Sequence, residues 1–233
     1  MNEQLELIRV DVDIAKSGGG HSPRVLIIGE TNGTIARAFQ NARADVATCG
    51  TTILPTRNIP HFKGDSRLMQ DRGWDLVIGS PPSVFQCDIK PLDNSVGTDY
   101  TSRINETIST FQRMHALDSP FEVIKQSTDH PTARTILSEL DNTQQVYPWQ
   151  HGNEETNAIH LYIKGALPLL LPTCNLTGRV FANKSKDSKH STGIGIATAM
   201  ATQWIPTLLK HQTDEANPNR NHVQLTATEM INP

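Results

Sequence analysis

Runs and alternations of apolar residues divide the chain into short strands and helices. Val25 to Ile28 is a fully apolar run. It is followed by the turn Gly29-Glu30-Thr31-Asn32-Gly33 and a helix through Phe39, with Ile35, Ala36, Ala38 and Phe39 available for packing. Asp45 to Cys49 and Asp75 to Gly79 read as further buried strands. Ile104, Ile108, Phe111, Met114 and Leu117 recur at helical spacing, and Asp118-Ser119-Pro120 stops that helix. The pattern then predicts a strand at Phe121–Ile124, a helix at Thr132–Leu140, a strand at Ala158–Ile163 and a closing helix at Ile194–Trp204. Strand and helix signals alternate as they do across right-handed crossovers. The expected architecture is α/β, a doubly wound and mostly parallel sheet with helices on both faces.

Two end segments fall outside that pattern. Leu5, Leu7, Val10, Val12 and Ile14 alternate with polar residues, and Ser17-Gly18-Gly19-Gly20 follows as a flexible linker. Residues 1–22 are therefore expected to form a strand-like arm and its tether, residues 23–205 the main domain, and residues 206–233, rich in Asn, Thr and Gln, a polar tail. Lys90 to Ser102 is polar and reads as a loop. The arm could add a strand to a protein partner or to a second copy of the chain.

Candidate chemistry gathers where strands end. After Leu76–Gly79 come Ser80, Pro81, Pro82 and Ser83; prolines donate no ladder hydrogen bond, so the chain must leave the sheet there. In open α/β sheets, ligands bind just beyond the carboxyl ends of the strands. The turn at Gly29–Gly33 would present backbone amides at a helix N-terminus to a carboxylate or phosphate, although two glycines make a thin dinucleotide fingerprint. Arg179, Lys184, Lys186, Lys189 and His190 form the one basic cluster, a solvated loop or a contact to nucleic-acid backbone.

Composition narrows this picture only a little. The chain has 233 residues, 19% charged, with a formal net charge of −3, which argues against a broadly basic nucleic-acid coat. Its 3 cysteines are far apart and suggest neither a zinc site nor a disulfide framework. No run approaches the roughly 18 apolar residues that would span a bilayer. We expect no membrane association and a cytoplasmic location.

From Val25 to Trp204 the chain resembles the small phage and prophage proteins related to DNA cytosine-5 methyltransferases. The likeness rests on Val25–Gly33 with Phe39, on Gly64-Asp65 followed by Gly73-Trp74-Asp75-Leu76, and most specifically on Pro148-Trp149-Gln150-His151-Gly152 with Glu155-Thr156. Leu161, Lys164-Gly165, Leu167-Pro168, Pro172-Thr173 and the closing Gly195–Trp204 helix continue it. The resemblance implies a Rossmann-like class I methyltransferase sheet and S-adenosylmethionine as cofactor. It places Gly29, Glu30 and Gly33 around the methionine moiety and Asp65 at the adenine amino group. Gln150 is a candidate contact to DNA, with packing and backbone support of the rim as the alternative.

The same resemblance exposes departures. The family's ribose-binding carboxylate has its counterpart at Gly50, which offers none. Cytosine-carbon transfer needs a thiolate to attack the ring and an acid to protonate it; their counterparts here are Ser83 and Lys125. Asn157 replaces a basic residue. We therefore expect a protein that has lapsed for cytosine-carbon transfer and is kept for binding DNA or a protein partner. One alternative is an active enzyme on an exocyclic amine, held by Ser80-Pro81-Pro82 with Phe85 stacking on a flipped base. Another is a virion or assembly accessory on the same scaffold.

Overall fold

The computed structural model describes residues 22–50, 58–66, 69, 72–80, 96–126, 142–153, 158–174 and 193–216. These form a mixed α/β fold around one seven-stranded sheet. In chain order the elements are β1 (Arg24–Ile28), α1 (Thr34–Asn41), β2 (Asp45–Gly50), β3 (His61–Lys63), β4 (Leu76–Gly79), α2 (Val96–His115), β5 (Phe121–Gln126) and β6 (Asn142–Val146), then a 3-10 turn at Pro148–His151, β7 (Ile159–Lys164) and α3 (Ile194–Ala216).

The strand order is β3-β2-β1-β4-β5-β7-β6. Pairs among β1 to β5 are parallel, whereas β7 is antiparallel to both β5 and β6. The mostly parallel sheet expected from sequence thus carries one reversed strand. β1 lies between β2 and β4 because the chain winds outward through β2 and β3 and then returns to the other side of β1. In open α/β sheets such a reversal marks the carboxyl ends of the two strands, here β1 and β4, as the place where ligands bind.

Alternation along the strands supplies two apolar layers. Val25, Ile27, Leu76, Ile78, Val123, Leu161 and Ile163 pack with Ile35 and Phe39 of α1 and with Met200, Trp204 and Leu208 of α3. Leu26, Ile28, Val77, Ile124 and Tyr162 face Phe111 and Met114 of α2 on the opposite side. Helices therefore cover both faces. The β5–β7 pair is further tied by Lys164 Nζ donating to Glu122 Oε1 at 2.7 Å, in register across the strands.

Several expectations are corrected. Residues 96–102, read as loop, belong to the first turns of α2; their polar sequence conceals the helix because it lacks an apolar stripe. The expected tail from residue 206 begins as the second half of α3, which runs to Ala216 through Pro206. Pro206 removes one helical hydrogen bond, but it is exposed, so water can satisfy the freed carbonyl, and Ile205 and Leu208 continue the buried stripe. β3 and β6 had no strand signal. β3 is only three residues long, and β6, Asn-Thr-Gln-Gln-Val, is a largely exposed edge strand that has no need to be apolar. The arm at 1–21 and the helix expected at Thr132–Leu140 lie outside the described residues.

Candidate functional site: the carboxyl rim of β1, β4 and β5

Backbone geometry brings the ends of three strands together. Gly29 N donates to Cys49 O at 2.9 Å, and Ser80 N donates to Ile28 O at 2.8 Å. Gly29 has φ 74°, and a methyl group there would lie 2.7 Å from the Ser80 carbonyl oxygen. Glycine is thus required twice over, by dihedral and by space. Gly50, at the end of β2, is different: a Cβ would stand 3.8 Å from Gly29 Cα, an ordinary contact, so nothing in the fold forbids a side chain.

Glu30 turns its carboxylate back onto the start of α1. Oε1 accepts from Ile35 N at 2.6 Å, and Oε2 accepts from Ala36 N at 3.2 Å. Asn32 Oδ1 takes Thr34 N at 3.2 Å. The amides that a helix N-terminus would offer to an anion are therefore filled by the chain's own side chains. This overturns the expectation that the turn presents free amides to a carboxylate or phosphate. Burial raises the Glu30 pKa; the two backbone hydrogen bonds, then the charges of Lys125 and Arg37, pull it down without cancelling that effect. Lys125, on β5 and 8% exposed, is thus close enough to Glu30 for the charges to be felt.

Asp65 follows β3 and is half-buried. Its charge reaches Cys49, whose thiol is pushed up to about 11 by burial first and by Asp65 second, with Arg113 opposing. Such a thiol is not a nucleophile at neutral pH. At the far end of the same rim, Gln150 sits in the 3-10 turn after β6. Its carbonyl accepts from both Thr173 N and Cys174 N at 3.0 Å, so its backbone anchors that loop.

The rim therefore assembles Gly29, Glu30, Ser80 and Lys125, with Asp65 on the β2–β3 side and Gln150 at the β6 end. Gly33 starts α1 with φ 67°. Pro81, Pro82, Ser83, Phe85, Arg179, Lys184, Lys186 and Lys189 lie outside the described residues. Sequence reasoning passed over Gln126, which ends β5 fully buried. A polar residue directly after Lys125 at the carboxyl end of a buried strand was the available signal.

Set against S-adenosylmethionine, two anchors do not fit. Gly50 supplies no carboxylate for ribose hydroxyls, and the α1 amides are occupied by Glu30 and Asn32. Among the described residues, no cluster of His, Cys, Asp or Glu could hold a metal ion, and no helix is long and apolar enough to cross a membrane.

No protein-family model and no curated protein matches the chain. Among solved structures it is similar to a candidate DNA modification methyltransferase encoded within a prophage of E. coli, at 14% identity and TM-score 0.45, covering 61% of this chain and 46% of that one. It is also similar to WbdD, crystallised with a kinase inhibitor, at 9% identity and TM-score 0.38, covering 65% of this chain and 38% of that one. The chain thus spans less than half the length of either of these structures.

Proposed function

We propose that this is a methyltransferase-like protein that does not carry out cytosine-carbon transfer and acts by binding DNA. The observation that carries the reading is Lys125. It is the penultimate residue of β5 and its charge reaches Glu30, so the rim holds a lysine at the position where the resemblance calls for a carboxylic acid. The Glu30 carboxylate, whose charge Lys125 feels, is committed to capping α1. With Ser83 where the thiol would stand, covalent attack and ring protonation are lost together, and each depends on the other.

The test combines two measurements on the full chain. Incubation with double-stranded DNA and methyl-labelled S-adenosylmethionine is expected to leave cytosine carbon unlabelled, while the protein retards the same DNA. Label on cytosine carbon overturns the reading. Retention of a protein from the host cell, with no DNA bound, would move it toward a protein-partner role.

A second reading is favoured by Ser80. Its hydroxyl is buried and finds no hydrogen-bond partner among the described residues, at the end of β4, where an exocyclic amine would need an acceptor. Methylation of such an amine needs no thiol. This alternative predicts labelled exocyclic amine in DNA that disappears in Ser80→Ala.

A further inference from the structure

β5 ends on a side chain whose hydrogen-bonding capacity is unused among the described residues. Gln126 is 1% exposed, and both its amide nitrogen and its amide oxygen find no partner among the described residues. A buried donor or acceptor left unpaired costs about 1–3 kcal/mol. An aliphatic residue would complete the strand without that cost. Packing alone therefore gives a poor account of glutamine here.

Its position suits a ligand. Gln126 is the last residue of β5, on the carboxyl edge of the sheet and one strand over from Ser80. Alternation places it on the side of Ile124, which packs with Met114 and Tyr162. On the neighbouring strand that side is closed by Met114, whose Sδ occupies the space a Cβ at Gly79 would need. The apolar layer below the amide is thus filled by the protein's own side chains, and the amide closes it at the rim.

We infer that Gln126 reads the edge of a nucleobase. A primary amide sets one acceptor and one donor side by side in a plane. The complementary ligand edge carries a donor beside an acceptor, as the amino group and adjacent ring nitrogen of adenine or cytosine do. A phosphate would use only the donor, and an apolar ligand neither atom. This inference rests on the reading above in taking DNA as the source of the base, and it adds which residue recognises it.

The experiment measures binding of the full chain to short single strands of dA, of dC, and of an abasic backbone of equal length. Base-bearing strands are expected to bind at least about tenfold more tightly than the abasic one, the scale of one bidentate pair. Gln126→Met should lose that preference, keep the abasic affinity, and melt at a higher temperature because the unpaired amide is gone. Gln126→Asn, which withdraws the amide by one methylene, should also lose the preference and guards against a Met variant that fails to fold. Equal binding of base-bearing and abasic strands by the unaltered protein, no binding of any strand, or retained preference in either variant overturns the inference. Label on cytosine carbon would overturn the reading above while leaving the base preference of Gln126 standing, and loss of the preference with DNA still bound would do the reverse, so the two can fail separately.

Discussion

Gln144 and Leu170 exchange two hydrogen bonds through one side chain: Gln144 Nε2 donates to the Leu170 carbonyl at 2.8 Å, and its Oε1 accepts from the Leu170 amide at 2.8 Å. The next residue is held the same way from the other side. Gln203 Nε2 donates to Leu171 O at 2.9 Å and Gln203 Oε1 accepts from Leu171 N at 2.8 Å. Trp204 Nε1 adds a bond to Pro168 O at 2.9 Å. An extended strap is thus paired as a strand would be, by side chains of β6 and α3.

The two glutamines should not be equivalent. Leu170 is 3% exposed and Leu171 68%, so water can replace Gln203 but not Gln144. Gln144→Ala is expected to cost about 2–3 kcal/mol of unfolding free energy and Gln203→Ala about 1 kcal/mol. Leu171→Ala should stay within about 0.5 kcal/mol, as surface substitutions do. Chemical denaturation of the three variants checks the order.

Glycine at position 29 and glycine at position 50 also separate cleanly. Gly29→Ala meets both φ 74° and the Ser80 carbonyl, and should lose about 2 kcal/mol or more. Gly50→Ala has ordinary contact distance and should remain close to the parent. Gly50→Asp should fold too. If the absent ribose carboxylate is what weakens cofactor binding, it should bind S-adenosylmethionine measurably more tightly by calorimetry.

The buried Glu30 predicts a pH dependence of known sign. Its pKa is raised in the folded protein, chiefly by burial, so the native state holds this proton more firmly than the unfolded chain. Its contribution is fully present below the ordinary glutamate range and is lost as pH rises through the raised value. Melting temperature measured across that window should fall with pH more steeply in the parent than in Glu30→Gln. Lys125→Met removes a charge that lowers the Glu30 pKa, and should shift the window to higher pH.

Cys49 should be unreactive. It is 3% exposed, with its thiol pushed up to about 11 by burial and Asp65, whereas Cys174 is half-buried. Mild alkylation of the native protein near pH 8, followed by peptide mass spectrometry, should label Cys174 well before Cys49. Rapid labelling of Cys49 would contradict the described burial.

What was legible in the sequence follows from what each element must bury. Val25–Ile28, Leu76–Gly79 and Phe121–Ile124 are covered on both faces, so nearly every residue is apolar and the strands announce themselves. β6 has an open edge and an exposed face, and its Asn-Thr-Gln-Gln sequence carries no such mark. α3 was cut short at Pro206 for a sound local reason, which its exposed position in the fold sets aside.

The chain alone determined the alternation of elements, the glycines of the β1 turn, the rim position of Ser80 and Lys125, and the absence of a carboxylate at Gly50, because these are properties of residue identity and order. Only the tertiary structure decided that β7 runs against its neighbours, that Glu30 and Asn32 fill the α1 amides, that the Lys125 charge reaches Glu30, and that Gln126 is buried with no hydrogen-bond partner among the described residues. Each of those depends on which distant groups meet, and hydrophobic pattern fixes the side a residue faces without naming the partner it finds there.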